Sequence, residues 1–263
     1  MRRVQTITLE IREKVFEGVA KVPVELDGVT PDALCGKSAD EIKEMRVWWG
    51  NRQEKLGDLF EVSVEGNAEK PDDVKIVCKG DFSVVKRVGE GMSAGEMIVE
   101  GNVGMHCGAM MSGGRIVVKG NAGCWAGREM RGGELIIEGD ADDYLGAAYR
   151  GEMTGMTGGR IVVKGNAGDY VGYLCGGGEI IVEGNVGILA GLGMKGGRIV
   201  INGDAEAPGG EMTGGTLIVK GSIKDMLPSF RFESEEEIEG VKLKKYAGDL
   251  AMGKKAKGAL YAP

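Results

Sequence analysis

His106 is the single histidine of the sequence, and Cys107 follows it directly. A thiol beside an imidazole is the pairing that nucleophilic catalysis or a soft metal site would use, so these two residues are the first candidates for chemistry. Adjacent residues do not necessarily face one another, and a lone histidine is more often a satisfied structural residue. The remaining cysteines, Cys35, Cys78, Cys124 and Cys175, bring the number to five, and none stands in a Cys-x-x-Cys pair. That removes the usual spacing of zinc and iron–sulfur ligands and leaves them reading as small apolar core residues.

Two other features invite a chemical reading. Gly-Gly and Gly-x-x-x-Gly spacings are frequent, but no Gly-x-x-x-x-Gly-Lys-[Ser/Thr] phosphate loop occurs. Trp48 and Trp49, followed by Gly50-Asn51-Arg52, are either a partner anchor or the packing of an N-terminal element onto its neighbour. A net charge of -7 with no long basic run gives no attractive field for nucleic acid or an anionic membrane. The opening MRRVQTITLEIREK interleaves charges with its apolar residues, which reads as neither a signal peptide nor a membrane span and leads to the expectation of a cytoplasmic protein.

The elements that would position these residues are set by a repeat. The segments GEMIVEGNVG (95–104), GGRIVVKGNAG (113–123), GGELIIEGDAD (132–142), GGRIVVKGNAG (158–168), GGEIIVEGNVG (177–187), GGRIVINGDAE (196–206) and GGTLIVKGSIK (214–224) align without gaps. Their closing glycines, Gly101, Gly120, Gly139, Gly165, Gly184, Gly203 and Gly221, are 19, 19, 26, 19, 19 and 18 residues apart. The 48 glycines therefore follow a coil period rather than a ligand loop. Weaker copies at 59–68 and 74–81 place the start of the stack near Leu59, and eight or nine coils are expected.

Within each copy the two-residue alternation of a strand separates an inner face from an outer one. Ile116 and Val118, Leu135 and Ile137, Ile161 and Val163, Ile180 and Val182 share the inner face. A column of Met111, Met130, Met156, Cys175, Met194 and Met212 adds unbranched, adaptable filling to the interior. The outer face carries Glu96, Arg115, Glu134, Arg160, Glu179, Arg198 and Thr216 in one column and Glu100, Lys119, Glu138, Lys164, Glu183, Asn202 and Lys220 in another. Equivalent residues of adjacent parallel strands lie about 4.8 Å apart, where like charges repel, so the alternation of sign is what in-order parallel stacking requires. The expected fold is all-β: a single-stranded parallel β-helix (59–224) with a small N-terminal α/β cap (1–58) and a C-terminal extension (225–263) that is a docking segment, part of it mobile. In the cap, Ser38 and Glu41 form a capping box for a helix reaching Met45. The Asn or Asp after each strand is a turn residue able to hydrogen-bond along the stack.

Between the charged columns lies an aliphatic stripe that includes Val117, Ile136, Val162, Ile181 and Val200. Either the long arginine and lysine stems cover it, or a terminal segment or another subunit does. The 26-residue interval holds seven extra residues around Leu145–Gly151, so a loop bearing Tyr149 and Arg150 bulges from the scaffold as a further candidate contact. Carboxylates converging in a groove, as in polysaccharide-cleaving β-helices, are absent from this pattern because each alternates with a cation.

The repeat (95–224) resembles the Gly-x-Gly-x-Gly domain at the end of the glutamate synthase large subunit. The flanking segments TPDALCGKSADEIKEMRVWWGNR (30–52) and FESEEEIEGVKLKKYAGDLA (232–251) resemble the C subunits of formylmethanofuran dehydrogenase, which extends the resemblance over nearly the whole chain. The resemblance implies a right-handed helix and an archaeal oxidoreductase complex that reduces carbon dioxide and formylates methanofuran, the first step of methanogenesis, or runs the reverse. It further implies partners: an amidohydrolase-type subunit with a dinuclear metal centre, molybdopterin or tungstopterin subunits and ferredoxin-type subunits with iron–sulfur clusters. No catalytic, metal or cofactor residue is implied in this chain itself. The related formyltransferase/hydrolase complex of methylotrophs and a free-standing glutamate-synthase-like domain are the alternatives.

Overall fold

The computed structural model describes residues 4–16 and 21–263; Met1–Arg3, the first residues of the opening segment weighed above as a leader, lie outside the described residues. The strands are β1 (Gln5–Ile11), β2 (Val24–Glu25), β3 (Arg46–Trp49), β4 (Arg52–Lys55), β5 (Phe60–Glu65), β6 (Val74–Lys79), β7 (Val85–Lys86), β8 (Glu96–Val99), β9 (Ser112–Val118) and β10 (Arg131–Ile137). They continue with β11 (Gly158–Val163), β12 (Glu179–Val182), β13 (Arg198–Ile201), β14 (Ala205–Glu206), β15 (Thr216–Val219), β16 (Ile223–Lys224), β17 (Arg231–Ile238), β18 (Val241–Gly248) and β19 (Gly258–Ala262). Against these stand, among the described residues, three short α-helices, α1 (Pro31–Leu34), α2 (Ala39–Lys43) and α3 (Leu56–Leu59), so the chain is all-β in class.

Thirteen strands form one sheet in the order β17-β18-β19-β15-β13-β12-β11-β10-β9-β8-β6-β1-β5. From β8 to β15 every repeat pairs in parallel with the next, in the register of the sequence alignment: Glu96↔Arg115, Arg115↔Glu134, Glu134↔Arg160, Arg160↔Glu179, Glu179↔Arg198 and Arg198↔Thr216. The repeats also bond one another away from this sheet. Isolated parallel bridges link Phe82, Val103, Ala122, Ala141, Ala167 and Val186 in succession. A third contact runs through the turns, where Gly127 N–H donates to Cys107 O at 2.7 Å and Gly146 N–H to Ala126 O at 2.8 Å.

The inner columns are fully enclosed: Ile116, Leu135, Ile161, Ile180, Ile199 and Leu217 are 0% exposed, as are the six residues of the methionine column. Each such aliphatic side chain contributes about 1.5–3 kcal/mol by leaving water, so the interior, not the charged exterior, drives the stacking. The exterior pairs opposite charges between neighbouring repeats. Arg115 meets Glu96 at 3.2 Å and Glu134 at 3.0 Å, and Arg160 meets Glu134 at 3.4 Å and Glu179 at 3.1 Å. Arg198 continues to Glu179 at 2.8 Å.

The turn column forms a second ladder. Asn121 N–H donates to Asn102 Oδ1 at 2.9 Å, Asp140 N–H to Asn121 Oδ1 at 2.8 Å and Asn166 N–H to Asp140 Oδ1 at 2.7 Å, and the pattern runs on through Asn185, Asp204 and Ser222. The glycine before each turn residue leaves room for this side chain: a Cβ on Gly120 would stand 2.6 Å from Asn102 Oδ1.

The ends differ from the sequence reading in three ways. First, Phe60–Glu65, aligned with the repeat in sequence, runs antiparallel to β1 at the sheet edge, and β1 itself inserts between β5 and β6, so the parallel register begins at β1 and β6 rather than at Leu59. A strand from the N-terminal segment is thus part of the main sheet, while β4-β3-β2-β7 form a separate small one. Second, α2 carries the expected capping box, with Glu41 N–H on Ser38 Oγ at 3.3 Å, but ends at Lys43. Third, the last residues are not a loose tail: β19 pairs in parallel with β15, and β17–β18 form an antiparallel hairpin beside it. The run Gly258–Ala262 lacks the Gly-Asn ending by which the repeat strands read, yet Leu260 is 0% exposed. Among the described residues no helix is long and apolar enough to cross a membrane.

Candidate functional site

The turn that follows each Asn or Asp brings one residue per coil into a column, and in four consecutive coils that residue is His106, Trp125, Tyr144 and Tyr170. All four have positive φ, from 59° to 65°, a region that bulky residues enter at a cost of about 1–3 kcal/mol each. The conformation turns the rings onto one another along the stack. His106 and Trp125 lie 5.7 Å apart at 18°, Trp125 and Tyr144 4.8 Å at 8°, and Tyr144 and Tyr170 5.0 Å at 6°. The spacing of adjacent parallel strands and the ring stacking distance coincide, so the repeat itself builds the aromatic ladder.

The seven extra residues of the 26-residue interval pass over this ladder. Tyr149 stands edge-on to His106 at 5.5 Å and to Trp125 at 5.4 Å, its backbone N–H donates to Glu129 Oε1 at 2.9 Å, and the Arg128 guanidinium lies 5.0 Å from its ring centre. Arg150 extends over Trp125 at 5.7 Å. Between loop and ladder is an open cavity of about 430 Å³ lined by Trp125, Tyr144, Tyr149, Arg150, Tyr170 and Tyr173 among others.

Beneath the loop lies an ionic network, buried at Arg128 and Glu90 and half-buried at Arg87 and Glu25. Arg128 bonds Glu90 at 2.9 Å and Glu129 at 3.1 Å, and Arg87 joins Glu90 at 2.7 Å and Glu25 at 3.1 Å. Arg128 Nε also donates to His106 Nδ1 at 3.1 Å. Burial, reinforced by the cations Arg128, Arg87 and Lys86, lowers the His106 pKa to about 4. The imidazole is neutral near pH 7, with its Nδ1 lone pair committed to Arg128, and it has no thiol partner: Cys107 is fully buried in the coil interior and burial pushes its thiol up to about 12. The two adjacent residues face opposite ways, as successive residues of a coil wall do. Among the described residues no group of three or more His, Cys, Asp or Glu could hold a metal ion.

The other candidates are dispersed. Trp49 packs against the core while Trp48 is 42% exposed on the small sheet. The aliphatic stripe divides: Val200 and Ile218 form an apolar cluster with Leu243 of the C-terminal hairpin, and Ile181, Ile238 and Tyr261 pack against it. Val117 and Val162 are each 6% exposed, and Ile136 between them is half-buried, flanked by the arginine and lysine side chains of the charged columns. A terminal segment therefore covers one end of the stripe.

The sequence reading identifies Tyr149 and Arg150 but misses Trp125, Tyr144, Tyr170 and Tyr173. The signal is present, since three of the chain's few aromatic residues recur at the same place after Asn121, Asp140 and Asn166. It lies in the turns, whereas the repeat alignment follows the strand columns.

No family model matches the chain. It is 49% identical to the C subunit of the tungsten-containing formylmethanofuran dehydrogenase 2 of Methanococcus maripaludis over 260 residues, 94% of either chain. With the corresponding protein of Methanothermobacter wolfeii it shares 51% identity over 89 residues, which is 34% of this chain and 33% of that protein. Among solved structures, a chain of the formyltransferase/hydrolase complex (FhcABCD) from Methylorubrum extorquens, in complex with methylofuran, superposes with a TM-score of 0.85 at 33% identity, covering 97% of this chain and 99% of that one.

Proposed function

This chain belongs to the family of formylmethanofuran dehydrogenase C subunits, and from that premise we propose that it is the non-catalytic scaffold of such a complex, a right-handed parallel β-helix of eight or nine coils on which the catalytic subunits dock. The observation that carries the reading is the pairing of the outer columns. In the first outer column each carboxylate, Glu96, Glu134 and Glu179, is already held against an arginine of a neighbouring coil, and in the second Glu138 and Glu183 meet Lys119 and Lys164. The coils form the body, with residues 1–58 and 225–263 as its closing ends.

The chemistry then belongs to partners: reduction of carbon dioxide at a molybdenum or tungsten pterin, electron delivery through iron–sulfur clusters of ferredoxin-type subunits, and formyl transfer to methanofuran at the dinuclear metal centre of an amidohydrolase-type subunit, all in the cytoplasm. This chain's donors do not suit those groups, since Cys78, Cys107 and Cys175 are buried thiols whose pKa values are raised by burial. A second reading, the C subunit of a formyltransferase/hydrolase complex without redox partners, is favoured by the FhcABCD neighbour at 33% identity, against 49% for the dehydrogenase relative.

Mass spectrometry of what co-purifies with the tagged chain tests the choice. Amidohydrolase-type and pterin subunits together support the dehydrogenase scaffold, and the amidohydrolase type alone supports the second reading. Glutamate synthase subunits, or a chain that purifies alone, would overturn both.

A further inference from the structure

The insertion loop differs from the charged columns of the main sheet in what it leaves unpaired. Arg115, Arg160 and Arg198 each meet two glutamates, whereas Arg150 has no carboxylate partner among the described residues and lies only over the Trp125 ring. Lys195, whose Nζ donates to Met153 O, adds a second cation at the loop, against the single carboxylate of Glu152. Next to these charges Met153 is 72% exposed and Tyr149 38% exposed, the loop's two large apolar side chains open to solvent.

The loop is also held in place. Tyr149 is clamped by Glu129, Glu152 N–H donates to Tyr149 O at 3.0 Å, Gly155 N–H to Leu174 O at 2.9 Å and Met156 N–H to Gly146 O at 2.9 Å. A preformed surface loses little entropy on binding, and Trp, Tyr, Arg and Met beside a cavity are the residue types that concentrate binding energy at protein interfaces. The 430 Å³ cavity is in the range that receives an inserted group, and its aromatic walls suit an apolar one.

Deepening the scaffold reading, on which this rests, we propose that the loop carrying Tyr149, Arg150 and Met153 and the aromatic cavity beneath it are the docking site for one segment of another subunit. That segment presents an apolar side chain to the cavity and a neighbouring carboxylate to Arg150. The apolar group fills the space between Tyr149 and the Trp125–Tyr144–Tyr170 ladder. Its carboxylate supplies the partner that Arg150 lacks, and Met153 is covered by the same segment.

Arg150→Glu and Met153→Asp, each introduced into the full-length chain, test this by the affinity of the partner subunits for the purified chain. Each variant is expected to weaken one partner by about tenfold or more, the Arg150→Glu loss shrinking at high salt, with thermal midpoints equal to that of the wild type. Lys254→Ala, in the exposed turn before β19, is expected to bind like the wild type. A photo-crosslinking residue at 153 in the assembled complex is expected to capture a peptide with Asp or Glu beside an apolar residue. If the wild type and both variants bind all partners equally, this docking site is wrong while the scaffold reading stands. If the wild type binds no partner, both fall.

Discussion

Arg128 Nε donates to His106 Nδ1 at 3.1 Å, a hydrogen bond that commits the imidazole to its Nε2–H tautomer and places a permanent cation against it. The charged form is disfavoured twice, by burial and by that cation, which is why its pKa falls to about 4. Below the ordinary histidine pKa of about 6.5 the unfolded chain takes up a proton that the folded chain refuses. Stability on this account is constant above that value, declines as pH falls through the window down to about 4, and levels off below it. Because the chain has one histidine, nuclear magnetic resonance of its imidazole nitrogens reads the titration directly. A midpoint near 4 is expected, and one near 6.5 would show that the imidazole is not buried beside Arg128 as the structure places it.

The Asn/Asp ladder makes a prediction about chemical class rather than identity. Asp140 and Asn121 perform the same function in adjacent coils, each accepting the next coil's backbone N–H through Oδ1. Asp140→Asn, flanked by Asn121 and Asn166, should therefore be nearly neutral, whereas Asp140→Ala leaves the Asn166 N–H without this acceptor and should cost about 0.5–1.5 kcal/mol. Urea unfolding of the two variants separates them; equal losses would mean the side-chain bond is not what holds the turn.

Reversing Arg160 to Glu places three carboxylates in successive coils, since Glu134 and Glu179 lie on either side. Exposed pairs contribute about 0–1 kcal/mol each, so the loss should be of order 1–2 kcal/mol at low salt. Most of it should vanish as salt screens the repulsion. A salt-independent loss in thermal unfolding would point instead to the packing of the arginine stem over Val162.

Leu243 is 1% exposed and packs on Val200 and Ile218, while Glu239 at the hairpin tip meets Lys220 at 2.8 Å and also Arg198. Glu239 thus supplies the carboxylate that the outer column lacks where Thr216 interrupts its alternation. Leu243→Ala should loosen the hairpin at a cost of about 2–4 kcal/mol. Limited proteolysis should then cut within 231–248 before any coil. Cleavage elsewhere first would show that the hairpin does not depend on Leu243 for its hold on the stripe.

What is legible in the sequence is whatever the coil period repeats. The aliphatic columns, the methionine column and the alternating charges each recur at fixed spacing, and the strands pair in that register. What the period does not encode is harder to read. The parallel partner of β1 is β6, more than sixty residues away, and nothing local in Gln5–Ile11 says so. β19 ends the stack without a repeat signature because no further coil needs its turn. The aromatic column lies in turns whose residues read only as turn formers, although His106, the first candidate for chemistry, heads it. His106 itself is legible as a residue but not as a neutral member of an arginine network, since Arg128 reaches it from the next coil.

The most direct measurement is reconstitution of the partner subunits with and without this chain, following their sedimentation together and the formyl-transfer and redox half-reactions separately. A scaffold without chemistry of its own leaves each half-reaction intact in its subunit when the chain is withheld, while the subunits no longer sediment as one particle. Full assembly in its absence, or turnover of a formylated furan-type amine by the isolated chain, would contradict the account.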